Sequence, residues 1–324
     1  MSQTYSPAGL CAASIDIGSN TVRLLVVRRS AGGDWERLAD EGLFCRLGEG
    51  VERTGRIAEP NFARAVEVTT RYVARAHDLD AEWIFPFATA AVREAANGPE
   101  LLDAMERAAG VRPRPISGEE EARLTFLGAT HDTPDDVALV TDIGGGSTEL
   151  AWGRAGDCAG RLSCAIGSRK LRAHLGLAEG SISPAAVEEG VALAWEALAP
   201  DAGRVPRMVA PELTGVGGTV TALAALSLGL SSYDPFRVQR HRMTLEGVGR
   251  LLERLAALST KARAELPCIA QDRAAVIVPG AMILLALMRG LQTEVVRADI
   301  NGARLGAILD GLARAGLGPH FART

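Results

Sequence analysis

Short apolar runs joined by glycine-rich turns occur twice along the chain, and each occurrence predicts a pair of strands. Residues 12–17 and 22–27 are two such runs, separated by the turn residues 18–21. The same arrangement returns at residues 137–143 and 148–152, again around a glycine-rich turn. Because each turn follows an acid within the sequence Asp-Ile-Gly, the pattern predicts a duplicated lobe with an acid at the edge of each strand pair.

Apolar residues at helical spacing separate and follow these strands. In the first half of the chain, the spacing predicts a strand at residues 83–89 and helices at residues 59–77, 98–109 and 118–130. In the second half, it predicts a helix after the glycine turn at residues 215–219 and further helices at residues 184–198, 245–258, 276–288 and 302–315. Strands that alternate with helices indicate an α/β fold.

The length of the chain indicates two domains. Its 324 residues exceed the roughly 250–300 residues beyond which a single core usually splits. We predict an N-terminal lobe over residues 1–125 and a C-terminal lobe over residues 126–299, with a last helix at about 300–324 that returns to the first lobe. Two similar lobes that face each other would leave a central cleft.

Composition narrows the class of protein. A hydrophobic fraction of 47% and a charged fraction of 23% fit a globular enzyme, and a net charge of −4 argues against a DNA-binding protein. The N-terminus lacks the basic start and apolar run of a signal peptide, and the most apolar stretch, residues 274–288, is too short to span a membrane. The five cysteines have no metal-like spacing. We therefore expect a cytoplasmic protein that binds neither DNA nor membrane.

The turn after Asp142 has the composition of a phosphate-binding loop. Glycines let backbone N–H groups converge on an anion, and hydroxyl side chains add donors. The residues of this loop are Gly144, Gly145, Gly146, Ser147 and Thr148. Asp142 itself is a candidate Mg²⁺ ligand, because that ion takes oxygen ligands. A tight hairpin turn is the structural alternative.

Two further turns extend this prediction. Asp16 precedes a turn that repeats the form of the loop after Asp142, and its residues are Gly18, Ser19, Asn20 and Thr21. The repetition favours a phosphate-binding role for this turn. A third turn contains Gly217, Gly218 and Thr219 and leads into an alanine-rich helix, so it would direct a helix N-terminus at an anion. A packing turn is the alternative interpretation.

Acids and basic residues supply the remaining candidates. Three adjacent acids follow Ser117 at a predicted helix start: Glu119, Glu120 and Glu121. Acids are favoured in the first turn of a helix, but three exceed what capping needs. One of them is therefore a candidate general base. Arg93 follows an apolar strand and could reach a transferring phosphate. Two basic clusters could follow a polyanion or simply face solvent: Arg161, Arg169, Lys170, Arg172 and His174 in one, and Arg237, Arg240, His241 and Arg242 in the other.

Six segments occur in a fixed order: AASIDIGSNTVRLLV, FATAAVREAANG, ISGEEEARLTFLG, VTDIGGGSTEL, GVGGTVTALAAL and VPGAMILLAL. In this combination they resemble the exopolyphosphatase and guanosine pentaphosphate phosphohydrolase family, over most of the chain. The resemblance implies the fold of actin, sugar kinases and Hsp70 ATPases, with two α/β, ribonuclease H-like lobes and a central cleft. It also implies Mg²⁺-dependent release of orthophosphate from the end of a phosphate chain, and a homodimer.

The resemblance also implies roles for individual residues. In the family, the acid immediately before Ala-Arg in the S-G-x-E-E-A-R motif is the general base, which here is Glu121, with Glu120 beside it. The acid that closes D-I-G-G-G-S-T-E, here Glu149, supports metal and water. Mg²⁺, or Mn²⁺ in its place, would be held by the acids Asp16, Asp142 and Glu149, and Arg93 would clamp the transferring phosphate.

Three positions depart from the family pattern. Ala275 and Leu305 stand where a carboxylate is common, and Gln239 lies where a His-Gly pair is often found. These changes leave open the substrate preference. The sequence also ends where long members continue into further helical domains, which favours short polyphosphate or a nucleotide.

Several activities stay open at this point. Inorganic polyphosphate and guanosine pentaphosphate (pppGpp) present the same reacting group, and the sequence does not separate them. A kinase or ATPase of the same fold is a further alternative. The missing carboxylates also admit a weakly catalytic sensor that binds polyphosphate or an alarmone.

Overall fold

The computed structural model describes residues 9–133, 137–154, 156–206 and 212–317. Contacts divide the chain into two units. The first comprises residues up to Ser117 and residues from Ala307 onward, and the second comprises Gly118–Gly306. The domain boundary expected at residue 125 falls within helix α5 (Gly118–Thr130), which begins the second unit.

The first unit contains a five-stranded sheet with the order β3-β2-β1-β4-β5. The first three strands form an antiparallel meander, whereas β4 and β5 continue the sheet in parallel with β1. The strands are β1 (Cys11–Ile17), β2 (Thr21–Arg29), β3 (Trp35–Phe44), β4 (Trp83–Ala88) and β5 (Arg114–Pro115). The sequence predicted the hairpin of β1 and β2 and the strand β4.

Helices of the first unit cover its sheet through apolar faces. On α2, the buried residues Ala65, Val68, Tyr72 and Ala76 recur at intervals of three and four, which places them on one side of the helix. They pack in one core with strand residues such as Ile15. The helices are α1 (Val51–Thr54), α2 (Glu59–Asp78), α3 (Ala90–Glu94) and α4 (Gly98–Ala109).

The second unit contains a six-stranded sheet with the order β10-β11-β9-β6-β7-β8. Strands β6, β7 and β8 form an antiparallel meander, β9 and β11 run parallel to β6, and β10 pairs antiparallel at the edge. The strands are β6 (Val137–Ile143), β7 (Thr148–Arg154), β8 (Asp157–Cys164), β9 (Glu212–Val216), β10 (Arg242–Thr244) and β11 (Val295–Ala298). From β8 to β11 the order repeats that of the first unit, which confirms the predicted duplication.

The core of the second unit is built around α12 (Ile277–Gly290), whose residues from Ile277 to Met288 are all buried. A helix that is apolar on every side belongs inside a core. The other helices are α5 (Gly118–Thr130), α6 (Ser168–His174), α7 (Pro184–Ala202), α8 (Gly217–Ser227), α9 (Pro235–Val238), α10 (Leu245–Ala256) and α11 (Thr260–Ala264), with a 3₁₀ turn at Gln271–Arg273. Helix α13 (Ala303–Arg314) spans the boundary of the units. None of the described helices is long and apolar enough to cross a membrane.

Candidate active site

The hairpin of β6 and β7 brings two predicted acids together in the second unit. Asp142 near the end of β6 is the direct register partner of Glu149 on β7. Residues directly opposite each other on antiparallel strands project their side chains to the same face of the sheet. Asp142 is half buried, and Glu149 is 1% exposed. Two carboxylates therefore lie side by side where the predicted phosphate loop begins.

The start of α8 fits closely around Asp142. Gly217 has φ +78°, a left-handed conformation that glycine adopts readily, and a Cβ at this position would overlap Oδ1 of Asp142. A Cβ at the next residue, Gly218, would overlap the guanidinium of Arg273. Because both positions are glycines, the Asp142 carboxylate and the Arg273 guanidinium can approach the first turn of α8. The sequence predicted these glycines but not the contact with Arg273.

The loop at residues 144–147 is held by the start of α6. The Gly144 carbonyl accepts hydrogen bonds from the Ser168 amide at 2.9 Å and the Ser168 hydroxyl at 3.1 Å. The Gly145 carbonyl accepts from the amides of Arg169 and Lys170 at 3.0 and 3.3 Å. Within the loop, the Gly144 amide donates to the Ser147 carbonyl at 3.0 Å. These bonds fix the conformation of the loop.

Gly167, the residue before α6, also packs closely against this loop. A Cβ at Gly167 would lie 2.6 Å from the amide nitrogen of Gly146, so only a glycine fits there. The predicted loop residue Ser147 is buried as well, at 8% exposure. The predicted phosphate loop is therefore held in place by the rest of the unit.

Two predicted hydroxyl donors have their side chains turned to the interior. Thr148 is buried, and its Oγ1 donates to the Ile166 carbonyl at 2.6 Å. Thr219 is buried as well, and its Oγ1 lies 2.5 Å from the position that a Cβ at Gly280 would take. These two side chains therefore serve the packing of the unit.

The start of α5 lies against Glu149. A Cβ at Gly118, the first residue of this helix, would be 3.8 Å from Oε1 of Glu149 and would overlap Ser163 on β8. The Ser163 hydroxyl donates to Oε1 of Glu149 at 2.8 Å. Ser163 was not predicted from the sequence, because the strand that carries it has little apolar alternation.

The acids of α5 differ in their environments. Glu119 is exposed. Glu120 forms a bidentate ion pair with Arg123, with nitrogen–oxygen distances of 2.9 and 3.0 Å. Glu121 is half buried, and its Oε2 is inaccessible to solvent. Of the two acids of α5 that were expected to be catalytic, Glu120 has its carboxylate paired with an arginine, and Glu121 has a carboxylate oxygen buried within the unit.

The first unit has its own acid and turn at one edge of its sheet. Asp16 lies near the end of β1, and the Gly18 amide donates to the Thr21 carbonyl at 3.1 Å to close the hairpin. The Ser19 hydroxyl is buried and accepts from the Ala91 amide at 3.2 Å, and the Asn20 carbonyl accepts from two amides of the segment after β3. These contacts tie the turn to α3 and to the end of β3.

Arg93 lies at the same edge of the first unit. Its side chain is fixed by a 2.7 Å hydrogen bond from Nη1 to the Ile116 carbonyl, although the residue is exposed. Ile116 follows β5, and its amide donates to the Ala88 carbonyl at the end of β4. Because β1, β4 and β5 are parallel, their carboxyl ends lie at one edge, where Asp16, the hairpin turn and Arg93 are found together.

A further acid, Asp299, follows β11 at the edge of the second sheet where β6 and β9 also end. It accepts a hydrogen bond from Gln239 Nε2 at 2.8 Å and from the Asn301 amide at 2.7 Å, and its own amide donates to the Gly215 carbonyl at 2.9 Å. Burial raises the pKa of Asp299 to about 7. Gln239, one of the departures from the family pattern, thus binds an acid that the sequence analysis missed.

The two predicted basic clusters are partly neutralised by acids of the same unit. Arg172 pairs with Glu179, Arg240 with Asp132 and Arg242 with Glu212. At the other departures, Leu305 is buried and Ala275 is half buried. Within the described ranges, no group of three or more His, Cys, Asp or Glu side chains could hold a metal ion.

Comparisons with known proteins agree with this architecture. The model of the Ppx/GppA phosphatase family matches residues 25–315. Exopolyphosphatase 2 of Mycobacterium tuberculosis is 32% identical over 315 residues, which cover 93% of this chain and 97% of the relative.

Solved structures show the same fold. A structure described as an exopolyphosphatase-like protein superposes with a TM-score of 0.85 at 29% identity, covering 94% of this chain and 100% of its own. The Aquifex aeolicus member of the Ppx/GppA family superposes with a TM-score of 0.81 at 26% identity. The superposition covers 94% of this chain and 98% of the Aquifex aeolicus chain. The match over most of the length, together with two lobes of the same strand order, confirms the actin-like α/β fold: the chain belongs to the Ppx/GppA phosphatase family.

Proposed function

We propose that the protein hydrolyses the terminal phosphoanhydride bond of inorganic polyphosphate and releases orthophosphate. The observation that carries the proposal is the pair of carboxylates, Asp142 and Glu149, beside a glycine loop and the first turn of α8. Glycine turns and helix starts bind phosphate groups through backbone amides. A relative that is 32% identical is named exopolyphosphatase, which favours this substrate over other phosphoanhydrides.

Glu121 is the general base in this proposal. A water molecule attacks the terminal phosphorus in line with the bridging oxygen, and the P–O bond to the rest of the chain breaks. Glu121 accepts a proton from the water as the new bond forms, so the products are orthophosphate and a polyphosphate shortened by one unit. A half-buried carboxylate on a helix start is suited to that task, because its position is fixed by the fold.

Asp142 and Glu149 fit a magnesium site. Mg²⁺ is usually held by one or two carboxylates together with oxygens of the substrate and water, and these two side chains project from one face of the hairpin. When bound, Mg²⁺ would neutralise charge on the phosphate oxygens, and Mn²⁺ could replace it. The protein's own contribution is to hold the two carboxylates at fixed positions, since Glu149 is buried and Asp142 contacts Gly217.

The test is orthophosphate release by the purified protein with Mg²⁺ and short polyphosphate, long polyphosphate, pppGpp or ATP, each with an EDTA control. We expect release from polyphosphate that EDTA abolishes. Preferential release from pppGpp or ATP would replace the proposed substrate, and binding without turnover on any of them would indicate a sensor.

A pair of variants on α5 tests the role of the base. We expect Glu121→Gln to lower kcat by about two to four orders of magnitude while polyphosphate binding persists, the range expected for loss of a general base. Glu119→Gln is the matched control, because Glu119 lies in the same helical turn but is exposed. Near-normal turnover by Glu121→Gln, or equal losses in both variants, would exclude Glu121 as the base.

A further inference from the structure

Three polar residues form a row across the strands β6, β7 and β8. Asp142 is the register partner of Glu149, and Glu149 is the register partner of Ser163. All three therefore project from one face of the meander. The Ser163 hydroxyl donates a 2.8 Å hydrogen bond to Oε1 of Glu149. Ser163 thus holds the carboxylate from the side opposite to Asp142.

Ser163 also contacts the helix that carries the proposed base. Gly118 begins α5, and a Cβ at this residue would overlap both Cβ and Oγ of Ser163. The backbone of the first turn therefore lies directly on the serine. Glu121 is three residues further along the same helix. One small side chain thereby sets the position of a carboxylate and limits where the helix can start.

We propose that Ser163 is a positioning residue for the hydrolytic reaction, acting through the carboxylate of Glu149. The proposal rests on the proposed function, in which Glu149 and Asp142 would hold the metal. A glutamate side chain has three rotatable bonds, and a buried carboxylate without a fixed donor can adopt alternative rotamers. The hydrogen bond from Ser163 selects one orientation. No substrate contact is assigned to Ser163 itself.

Removal of the hydroxyl is the first test. A hydrogen bond to a charged group contributes enough to change a rate by about tenfold to hundredfold. We expect Ser163→Ala to lower kcat by about that factor while KM for tripolyphosphate changes less than about threefold, because alignment rather than substrate binding is lost. Ser163→Cys keeps a side chain of similar size but offers only a weak donor, so it should lower kcat as well.

A matched control separates positioning from general destabilisation. Ser183 caps α7, where its hydroxyl accepts from the Ala186 amide at 3.2 Å. Loss of a helix cap costs about 1 kcal/mol of stability, so Ser183→Ala weakens the fold without touching the carboxylates. It should leave kcat unchanged. A comparable loss of kcat in Ser183→Ala and Ser163→Ala would overturn the proposal.

A double-mutant cycle shows whether Ser163 acts through Glu149. If it does, Ser163→Ala should change kcat by less than about twofold once Glu149→Ala, which removes the acceptor, is present, whereas independent effects multiply. The same four proteins are titrated by calorimetry with Mg²⁺ and tripolyphosphate, and their binding constants should show the same coupling. Multiplicative effects in both measurements would overturn the proposal.

The calorimetric cycle also distinguishes the two proposals. If the wild-type protein releases no orthophosphate, the proposed function fails, while coupled binding by Ser163 and Glu149 still supports the positioning role. If the wild-type protein hydrolyses polyphosphate but Ser163→Ala behaves like it, only the positioning role fails. Absence of any binding by the wild-type protein would overturn both.

Discussion

Replacement of Gly217 by alanine tests the most specific contact of the site. Gly217 has φ +78°, and a Cβ there would overlap Oδ1 of Asp142. The left-handed conformation costs a non-glycine residue about 1–2 kcal/mol. The overlap adds a second effect, because either the start of α8 or the carboxylate must move. A displacement of about 1 Å in a reacting group can lower a rate by about a hundredfold, so we expect Gly217→Ala to lower kcat by roughly that factor.

Gly229, just after α8, provides the matched control. Its φ is +64°, and among the described residues no atom lies within 4 Å of a Cβ built there. Gly229→Ala therefore introduces the same type of backbone strain, about 1–2 kcal/mol, with no contact to an acid. We expect it to lower stability by this backbone strain alone, less than Gly217→Ala does, and to leave kcat near the wild-type value.

The assays are urea denaturation, orthophosphate release from tripolyphosphate and calorimetric binding of tripolyphosphate with Mg²⁺. Both alanine variants carry the backbone strain, but only Gly217→Ala also displaces Asp142 or the start of α8. The difference between their kcat values therefore reports the effect of that displacement on the reaction. Equal kcat values would refute the reasoning, since the contact between Gly217 and the carboxylate would then have no consequence for the reaction.

Three further predictions concern stability. Arg263 is 1% exposed, and its guanidinium donates to the carbonyls of Leu255 and Leu258 at 2.8 Å each. Lysine lacks the planar guanidinium that reaches both carbonyls, so Arg263→Lys should lower the free energy of unfolding, measured in urea, by about 2–3 kcal/mol. A loss below about 0.5 kcal/mol would contradict this. Asp299 keeps its proton up to about pH 7 in the folded chain but releases it near 3.8 when unfolded, so the folded state binds more protons and stability falls as pH rises through this window. Asp299→Asn should therefore gain about 2–4 kcal/mol relative to wild type between pH 4 and pH 8, and a constant difference would exclude Asp299 as the source. Gly280→Ala should destabilise by about 1–3 kcal/mol because its Cβ would lie 2.5 Å from Oγ1 of Thr219, and an unchanged urea midpoint would contradict this.

Local signals were sufficient to predict much of the fold. The β1–β2 and β6–β7 hairpins were predicted from apolar runs around glycine turns, and their register places Asp142 directly opposite Glu149. Helix α5 was predicted with the bounds Gly118–Thr130 that the structure has. These elements depend on residues close in sequence, so their patterns are visible in a single chain.

The rest of the site depends on contacts between residues far apart in sequence. Strand β8 (Asp157–Cys164) was not predicted, because glycine and polar residues interrupt its apolar alternation. Ser163 could therefore not be placed beside Glu149. Asp299 lies near the site because β11 pairs with β9 in the sheet, and Arg273 lies there because of the 3₁₀ turn before α12. Neither arrangement is specified by the local sequence.

The acids Asp16 and Asp142, which lie at corresponding places in the duplicated fold, differ in the glycines that contact them. In the first unit, a Cβ at Gly18 would lie 2.9 Å from the Thr21 carbonyl oxygen but 3.6 Å from Oδ1 of Asp16, so glycine is needed chiefly to close the turn. In the second unit, the corresponding acid is Asp142, and the glycine that contacts it is Gly217, where β9 leads into α8. Asp142 is thus contacted by a glycine that is far from it in sequence, whereas the glycine beside Asp16 belongs to the same hairpin. Since catalysis requires fixed positions for the groups that bear charge, we propose that the contact with Gly217 helps to hold Asp142 in one position for its part in the proposed hydrolase.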